Sequence, residues 1–135
     1  MIEQSFYSLL STTPAINAIT NDRVYLGIRP QNERRPSIVI TRVGTQLFRT
    51  FKTKGGSIKG SMQIDCLAPT YRVAKELAKA VRDRIDDFTG VVTTTKFLWI
   101  QTDDEADIPT VPLEGKAEPT FGVSLDARFM ADELN

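Results

Sequence analysis

The sequence has no histidine, a single cysteine and no net charge, and each of these features removes a class of function. Without histidine, the chain lacks the commonest general base and metal ligand of proteins. One cysteine, Cys66, excludes an internal disulfide framework and any zinc site built from several cysteines. Seventeen basic and seventeen acidic residues cancel, which argues against a nucleic-acid-binding protein driven by overall positive charge. We therefore expect no cofactor and no metal.

Long hydrophobic runs are also missing. The longest run of large apolar residues is 97–100, which is far too short to cross a membrane. The N-terminus has neither the basic region nor the apolar region of a secretory signal. We expect a soluble protein made in the cytoplasm, with no membrane partner. A length of 135 residues and a hydrophobic share of 41% predict one globular domain over 1–135.

The neutral total hides an uneven distribution of charge. Residues 1–60 carry nine basic and three acidic side chains, whereas residues 61–135 carry eight basic and fourteen acidic ones. If the fold keeps the two halves apart, the molecule is dipolar and suited to head-to-tail self-association. If the fold interleaves them, the dipole vanishes. The sequence leaves both interpretations open.

Catalysis is not expected. Cys66 is the obvious nucleophile, but no histidine exists to activate it. It alternates with Met62, Ile64 and Ala68 on the apolar side of a predicted strand, where a cysteine is usually a small core residue. We predict that the protein is not an enzyme.

Helical periodicity is clearest over residues 70–88. Thr70 is a plausible N-cap and Gly90 a plausible residue just beyond the C-terminus of this helix. The helix has one apolar stripe, which consists of Ala74, Leu77, Ala78, Val81, Ile85 and Phe88. An N-terminal helix is indicated by Phe6, Leu9 and Leu10, and Pro14 ends it or starts a second short one.

Strands are predicted over 37–43, 91–101 and 119–130, together with a long β-hairpin over 46–68. The last strand alternates apolar and mostly polar residues, which is typical of a sheet with one buried face. The predicted fold class is α+β: a mostly antiparallel sheet with the long amphipathic helix and the N-terminal helix packed on it.

The hairpin is expected to project from the body. Gly55 and Gly56 supply its turn, since glycine reaches the positive φ of tight hairpins. Its tip, residues 49–60, is basic, and we regard it as a candidate partner-binding surface. The candidate residues are Phe48, Arg49, Lys52, Lys54 and Lys59. Two other interpretations are weaker: a phosphate loop, which lacks the required lysine and helix, and a nucleic-acid patch, for which three lysines are few.

Residues 102–118 form a predicted acidic, proline-containing loop, which is long for a compact domain. Its candidate interface residues are Asp103, Asp104, Glu105 and Asp107. These carboxylates are capable of binding a divalent cation, but they lack the spacing and turn glycine of an EF-hand loop. A solvated acidic loop is therefore favoured.

Four short motifs, in order along the chain, give a resemblance to a known family. Asn21–Tyr25 reads N-D-R-V-Y, and residues 36–40 read P-S-I-V-I. The pattern Q-I-D-C at 63–66 followed by A-P-T-Y at 68–71 joins a strand to the long helix, and 124–128 read S-L-D-A-R. Together they resemble the tail completion proteins of tailed bacteriophages and prophages, the small gp17-like tail terminators.

The resemblance implies a structural virion protein. Such proteins form a ring, typically hexameric, at the head-proximal end of the tail tube, where they stop tube polymerisation and meet the head connector. Assembly would take place in the cytoplasm of the bacterial host. The implied partners are other copies of the chain, the tail tube protein and the connector protein, with DNA passing through the lumen without specific binding. The family brings no catalytic residues.

Two alternatives stay open: another head–tail connector or head-closure protein of this size, and a monomeric binding module that uses the basic hairpin. For a ring, we expect the hairpin tip to lie near the acidic loop of the adjacent subunit. In a competing arrangement, the acidic loop lines the lumen.

Overall fold

The computed structural model describes residues 2–30, 33, 35–48, 57–108 and 120–133. Within these residues the chain forms three helices and one six-stranded sheet, so the predicted α+β class is confirmed. The elements in chain order are α1 (Ile2–Ser11), α2 (Pro14–Thr20), β1 (Val24–Leu26), β2 (Ser37–Phe48), β3 (Ser57–Ala68), α3 (Tyr71–Ile85), β4 (Gly90–Val92), β5 (Thr95–Ile108) and β6 (Phe121–Glu133).

The strand order across the sheet is β1-β2-β3-β6-β5-β4. Only the β1–β2 pair is parallel, and every other neighbouring pair is antiparallel. The edge strands β1 and β4 have three residues each, whereas the four inner strands have twelve to fourteen. The most C-terminal strand, β6, therefore lies in the middle of the sheet and joins two halves that are distant in sequence.

All three helices cover one face of the sheet. Their apolar side chains form a single buried cluster with every second residue of the central strands. The ring of Phe6 on α1 makes edge-on contacts with Phe97 and Phe129, with centroids 5.2 Å and 5.6 Å apart. The predicted orientation of the long helix is confirmed, because its apolar residues are fully buried with those of the sheet. They are Leu77, Val81 and Ile85 on α3, and Phe97, Val123 and Leu125 on the strands.

The ends of α3 are fixed by side chains. The Thr70 hydroxyl accepts a hydrogen bond from the Val73 N–H at 3.3 Å, which confirms the predicted N-cap. The predicted C-terminal end is wrong, because the helix stops at Ile85 and Gly90 belongs to β4. Asp86 is the C-cap, and its carboxylate accepts the Thr102 N–H at 2.7 Å. That bond accounts for an acidic residue at a helix end, where it opposes the helix dipole.

The predicted loop over 102–118 is wrong at its start, because residues up to Ile108 continue β5. This part of β5 pairs with β6 from Asp104↔Asp126 to Ile108↔Gly122, after a bulge between Thr102 and Asp104. Asp and Glu are unfavourable in strands in general, but tertiary pairing overrides that preference. Residues 109–118 lie outside the described part of the chain.

The strand predicted over 37–43 is longer than expected, since β2 runs on to Phe48 and pairs antiparallel with β3 as far as Phe48↔Ser57. A bulge interrupts the pairing between Arg42 and Gly44. The predicted turn at Gly55 and Gly56 lies outside the described residues, so the projecting tip stays a prediction.

Candidate functional site

The acidic residues of β5 are distributed over both faces of the sheet. Glu105 lies on the helix-covered side and forms an ion pair with Arg82 of α3, with 3.3 Å between Oε1 and Nε. Asp103 forms one with Arg128 of β6, at 3.2 Å. Asp104 accepts the N–H of Glu105 at 2.9 Å and has no basic partner among the described residues. Local pairing thus neutralises most of this acidic segment (Asp103, Asp104, Glu105 and Asp107) within one chain.

Asp107 has the most complete set of partners. Its carboxylate is 2.8 Å from Nζ of Lys75 and accepts the Tyr71 hydroxyl at 2.8 Å. The ammonium group of Lys75 also lies over the Tyr71 ring, 5.2 Å from its centroid. The hydrogen bonds that Lys75 and Tyr71 donate lower the pKa of Asp107. The hydrogen bond to Asp107 is the main reason why the pKa of Lys75 rises to about 12. This cluster ties the start of α3 to the end of β5.

The basic candidates of the hairpin are only partly described. Lys59 lies on the face of β3 that no helix covers, and its ammonium group is 5.9 Å from the centroid of the Trp99 ring. Phe48 is the last residue of β2. Arg49, Lys52 and Lys54 lie outside the described residues.

The strand ends that lead into the hairpin tip and the acidic segment of β5 lie at opposite ends of the sheet. The tip follows Phe48, which pairs with Ser57, and Ser57 donates a hydrogen bond to Asp132 at 2.6 Å. The acidic segment lies at the other end of β6, where Asp107 pairs with Val123. A twelve-residue strand is about 40 Å long, so the acidic segment is far from the strand ends that lead into the tip of the same subunit. Their predicted contact between adjacent subunits stays a prediction.

The strand order shows how the basic and acidic parts of the sequence are distributed over the two edges of the sheet. The segment 22–42, which includes β1 and the start of β2, has five arginines and two acidic residues. The segment 86–108, which includes β4 and β5 at the opposite edge, has six acidic residues and one lysine. The two segments are thus of opposite charge by sequence, but ion pairs with other elements (Arg42 with Glu3, Glu105 with Arg82, Asp107 with Lys75 and Asp103 with Arg128) balance much of that charge within the subunit.

Sequence reasoning missed a set of exposed apolar residues at these same edges. The described residues include five large hydrophobic side chains that are exposed, and four of them lie beside the edge strands. They are Ile28 (82% exposed) and Val43 (62%) at one edge, and Val91 (58%) and Leu98 (37%) at the other. A sequence signal existed for Ile28, which stands between Gly27 and Arg29 outside any amphipathic pattern.

Nothing in the described part of the chain resembles a catalytic or metal centre. Cys66 is fully buried, and burial raises the pKa of its thiol, which makes the thiolate less available. No group of three or more potential metal ligands occurs among the described residues. None of the described helices is long and apolar enough to cross a membrane.

Comparisons with known proteins point to one family and one fold. The model of the family "Tail completion protein gp17" matches residues 4–110. A chain from the virion of a native gene transfer agent (GTA) particle has a similar structure, with a TM-score of 0.70 and 13% sequence identity. The match covers 97% of this chain and 94% of that one, and at this identity it shows a shared fold. A search of curated protein sequences gives no match.

Proposed function

The chain belongs to the gp17 family of phage tail completion proteins, and from this premise we propose that it forms a hexameric ring at the head-proximal end of the tail tube. The ring stops polymerisation of the tube and joins the tail to the head connector. The protein has a structural role in the virion and no enzymatic activity, and DNA passes through the ring without specific binding. The family match carries this proposal.

The distribution of charge on the sheet supports a ring with two different faces. The acidic segment lies at one end of the long strands, and the basic residues of the hairpin follow the other end. If the strands run along the ring axis, one face of the ring carries the acidic segment and the other the basic hairpin. Each face then suits a different partner, one the tail tube protein and one the connector protein. The candidate residues of both segments are therefore proposed partner contacts.

The chemistry of the described residues supports a structural role. Asp103, Glu105 and Asp107 make ion pairs that hold elements of the fold together, and Cys66 is sealed in the core. Neither arrangement offers a nucleophile next to a base, which acyl or phosphoryl transfer would require.

The test is to measure sedimentation of the purified protein alone and mixed with tail tubes, together with the lengths of tubes that are still growing. We expect a species of six subunits, bound to tube ends, that arrests growth at sub-stoichiometric amounts. The variant Lys52→Glu with Lys54→Glu tests the role of the hairpin. If the tip meets the acidic segment of the adjacent subunit, the variant blocks ring assembly, and Asp103→Lys with Asp104→Lys partly restores it. If the tip meets a partner at one face, the free ring sediments normally and only binding to that partner is weaker. A chain that stays monomeric and leaves tube length unaffected would refute the ring and favour a monomeric binding module.

A further inference from the structure

The outer edges of the sheet are only partly covered by their edge strands. β1 pairs with residues 38–40 of β2, and β4 pairs with residues 95–97 of β5. Beyond a bulge, residues 44–48 of β2 and 104–108 of β5 pair with no described strand on their outer side. Each edge therefore has a step: a strand of three residues that protrudes and a longer recess beside it. Uncovered strand edges favour pairing with another chain.

The two steps lie at opposite ends of the sheet, so they are complementary. The register can be followed across all strands: Tyr25 pairs with Val39, Val39 with Asp65, Asp65 with Ser124, and Ser124 with Ala106. β1 thus lies level with the recess beside β5. At the other end of the sheet, Val91 of β4 pairs with Lys96 of β5, and Lys96 pairs with Asp132 of β6. Asp132 accepts a hydrogen bond from Ser57 of β3, and Ser57 pairs with Phe48 of β2. β4 thus lies level with the recess beside β2.

Charge and apolar exposure match across the same two edges. The sequence around β1 is rich in arginine and that of β5 in acidic residues. Ion pairs within the subunit balance most of the β5 carboxylates, but Asp104 in the β5 recess has no basic partner among the described residues. Each edge also exposes two large hydrophobic side chains, Ile28 and Val43 on one and Val91 and Leu98 on the other. Single exposed apolar residues are normal on monomeric proteins, but four of the five among the described residues lie at these two edges, which favours a contact there.

We propose that the stepped edges are the two halves of the contact between copies of this chain. β1 of one copy lies in the recess beside β5 of the next copy, and β4 of that next copy lies in the recess beside β2 of the first. Strand directions allow both pairings, because β1 is antiparallel to β5 and β4 is parallel to β2. The contact joins two different patches, as a ring requires. This inference rests on the proposed ring and specifies its lateral interface.

Disulfide cross-linking tests the pairing. In a Cys66→Ala background, Tyr25→Cys with Ala106→Cys places one cysteine on each edge at the same level. Phe48→Cys with Val91→Cys does so at the other end of the strands. Strand neighbours lie close enough for a disulfide, so oxidation of either double variant should give a ladder of oligomers up to the size of the ring.

The same four positions provide matched controls. Two double variants place their cysteines at different levels of the sheet and should give no ladder. They are Tyr25→Cys with Val91→Cys and Phe48→Cys with Ala106→Cys. Asp104→Cys or Ile108→Cys in place of Ala106→Cys detects a shift of register by two residues. A second variant needs no cysteine: Asp104→Arg should weaken ring formation at least tenfold, and Arg29→Asp in the same chain should restore part of it.

The outcomes separate this inference from the proposed function. Rings that sediment normally but give no ladder from any same-level pair would overturn the edge contact and leave the ring intact. A single-cysteine variant that cross-links to itself would also overturn it, because the contact would then join two identical patches. A protein that stays monomeric, alone and with tail tubes, would overturn both proposals. Circular dichroism of each variant confirms that a missing ladder does not reflect unfolding.

Discussion

Replacement of Gly60 by alanine tests whether the bulge in β2 dictates the residue on the neighbouring strand. A Cβ atom at Gly60 would lie 2.5 Å from the carbonyl oxygen of Gly44 and 3.1 Å from Cζ of Phe129. The carbonyl belongs to the backbone of the bulged strand, so it cannot rotate out of the way. We expect β2 to shift, with the loss of native packing around Phe129.

The expected magnitude follows from two opposing effects. Overpacking of a well-packed site costs about 1–3 kcal/mol of unfolding free energy. Alanine has less conformational freedom than glycine in the unfolded chain, and this effect stabilises the fold by about 0.4–1 kcal/mol, which offsets part of the overpacking cost. Gly60→Ala should therefore lower the free energy of unfolding by about 1–2 kcal/mol. Urea denaturation with an unchanged m-value measures this difference directly.

Gly122→Ala is the matched control, because Gly122 likewise lies on an inner strand of the sheet with atoms close to its missing Cβ. Its added Cβ would lie 2.8 Å from Cδ1 of Ile108 and 2.8 Å from Cδ2 of Leu67, the far ends of two flexible side chains, and 3.2 Å from Cβ of Ile108, which has to give by only a few tenths of an ångström. These can move aside, so the change should stay within about 1 kcal/mol of wild type. If Gly122→Ala were as destabilising as Gly60→Ala, backbone contact at the bulge would not be the cause.

Three further predictions concern the core, the cysteine and an ion pair. Val81→Ala should lower the free energy of unfolding by about 1–3 kcal/mol, whereas exposed Lys79→Ala should cost under about 1 kcal/mol; the reverse order would mean that α3 is wrongly oriented. Cys66→Ala should still support phage assembly, measured by plaque formation, and a well-folded but inactive variant would argue for a chemical role of the thiol. Lys75 lowers the pKa of Asp107 in the folded state, below the value of 3.8 in the unfolded chain. The ion pair therefore stabilises the fold at any pH above 3.8. This stabilisation is lost as the pH falls through the pKa of Asp107 in the folded state. At neutral pH the free energy of unfolding should therefore be higher for wild type than for Asp107→Asn. The difference should narrow as the pH is lowered, and a difference that stays constant would contradict the pairing.

The helices and the core could be predicted from sequence because their signals are local. The stripe from Ala74 to Ile85 repeats with helical periodicity, and Thr70 has the chemistry of an N-cap. The strand from Phe121 onwards alternates with a period of two, so its buried face could also be assigned.

The end of β5 could not be predicted, because its cause is not local. Asp103 to Asp107 have the composition of a loop, and they form a strand only because β6 lies along one side and Lys75 and Arg82 lie above it. The role of Asp86 was hidden for the same reason, since its hydrogen-bond partner Thr102 is sixteen residues away.

Which residues lie at the edges of the sheet could not be predicted from sequence. Val91 and Ile28 are far apart in the chain, and only the strand order shows that each lies beside an edge strand. The candidate interface residues of the hairpin tip and the acidic segment were chosen for charge alone. The structure shows where the residues of the acidic segment lie. The contacts of the acidic segment and of the hairpin tip with partners stay predictions.

The central position of β6 determines when this fold can complete during synthesis. β6 pairs with β3 and β5 along almost its whole length, so neither half of the sheet has its inner neighbour until residues 121–133 have left the ribosome. Before that point β3 presents a bare edge on its inner side to every other nascent chain. Pairings between segments distant in sequence form slowly, and such exposed strands are prone to wrong association. Synthesis of β6 is therefore the step that turns two incomplete sheets into one subunit, and self-assembly has to wait until this strand has emerged.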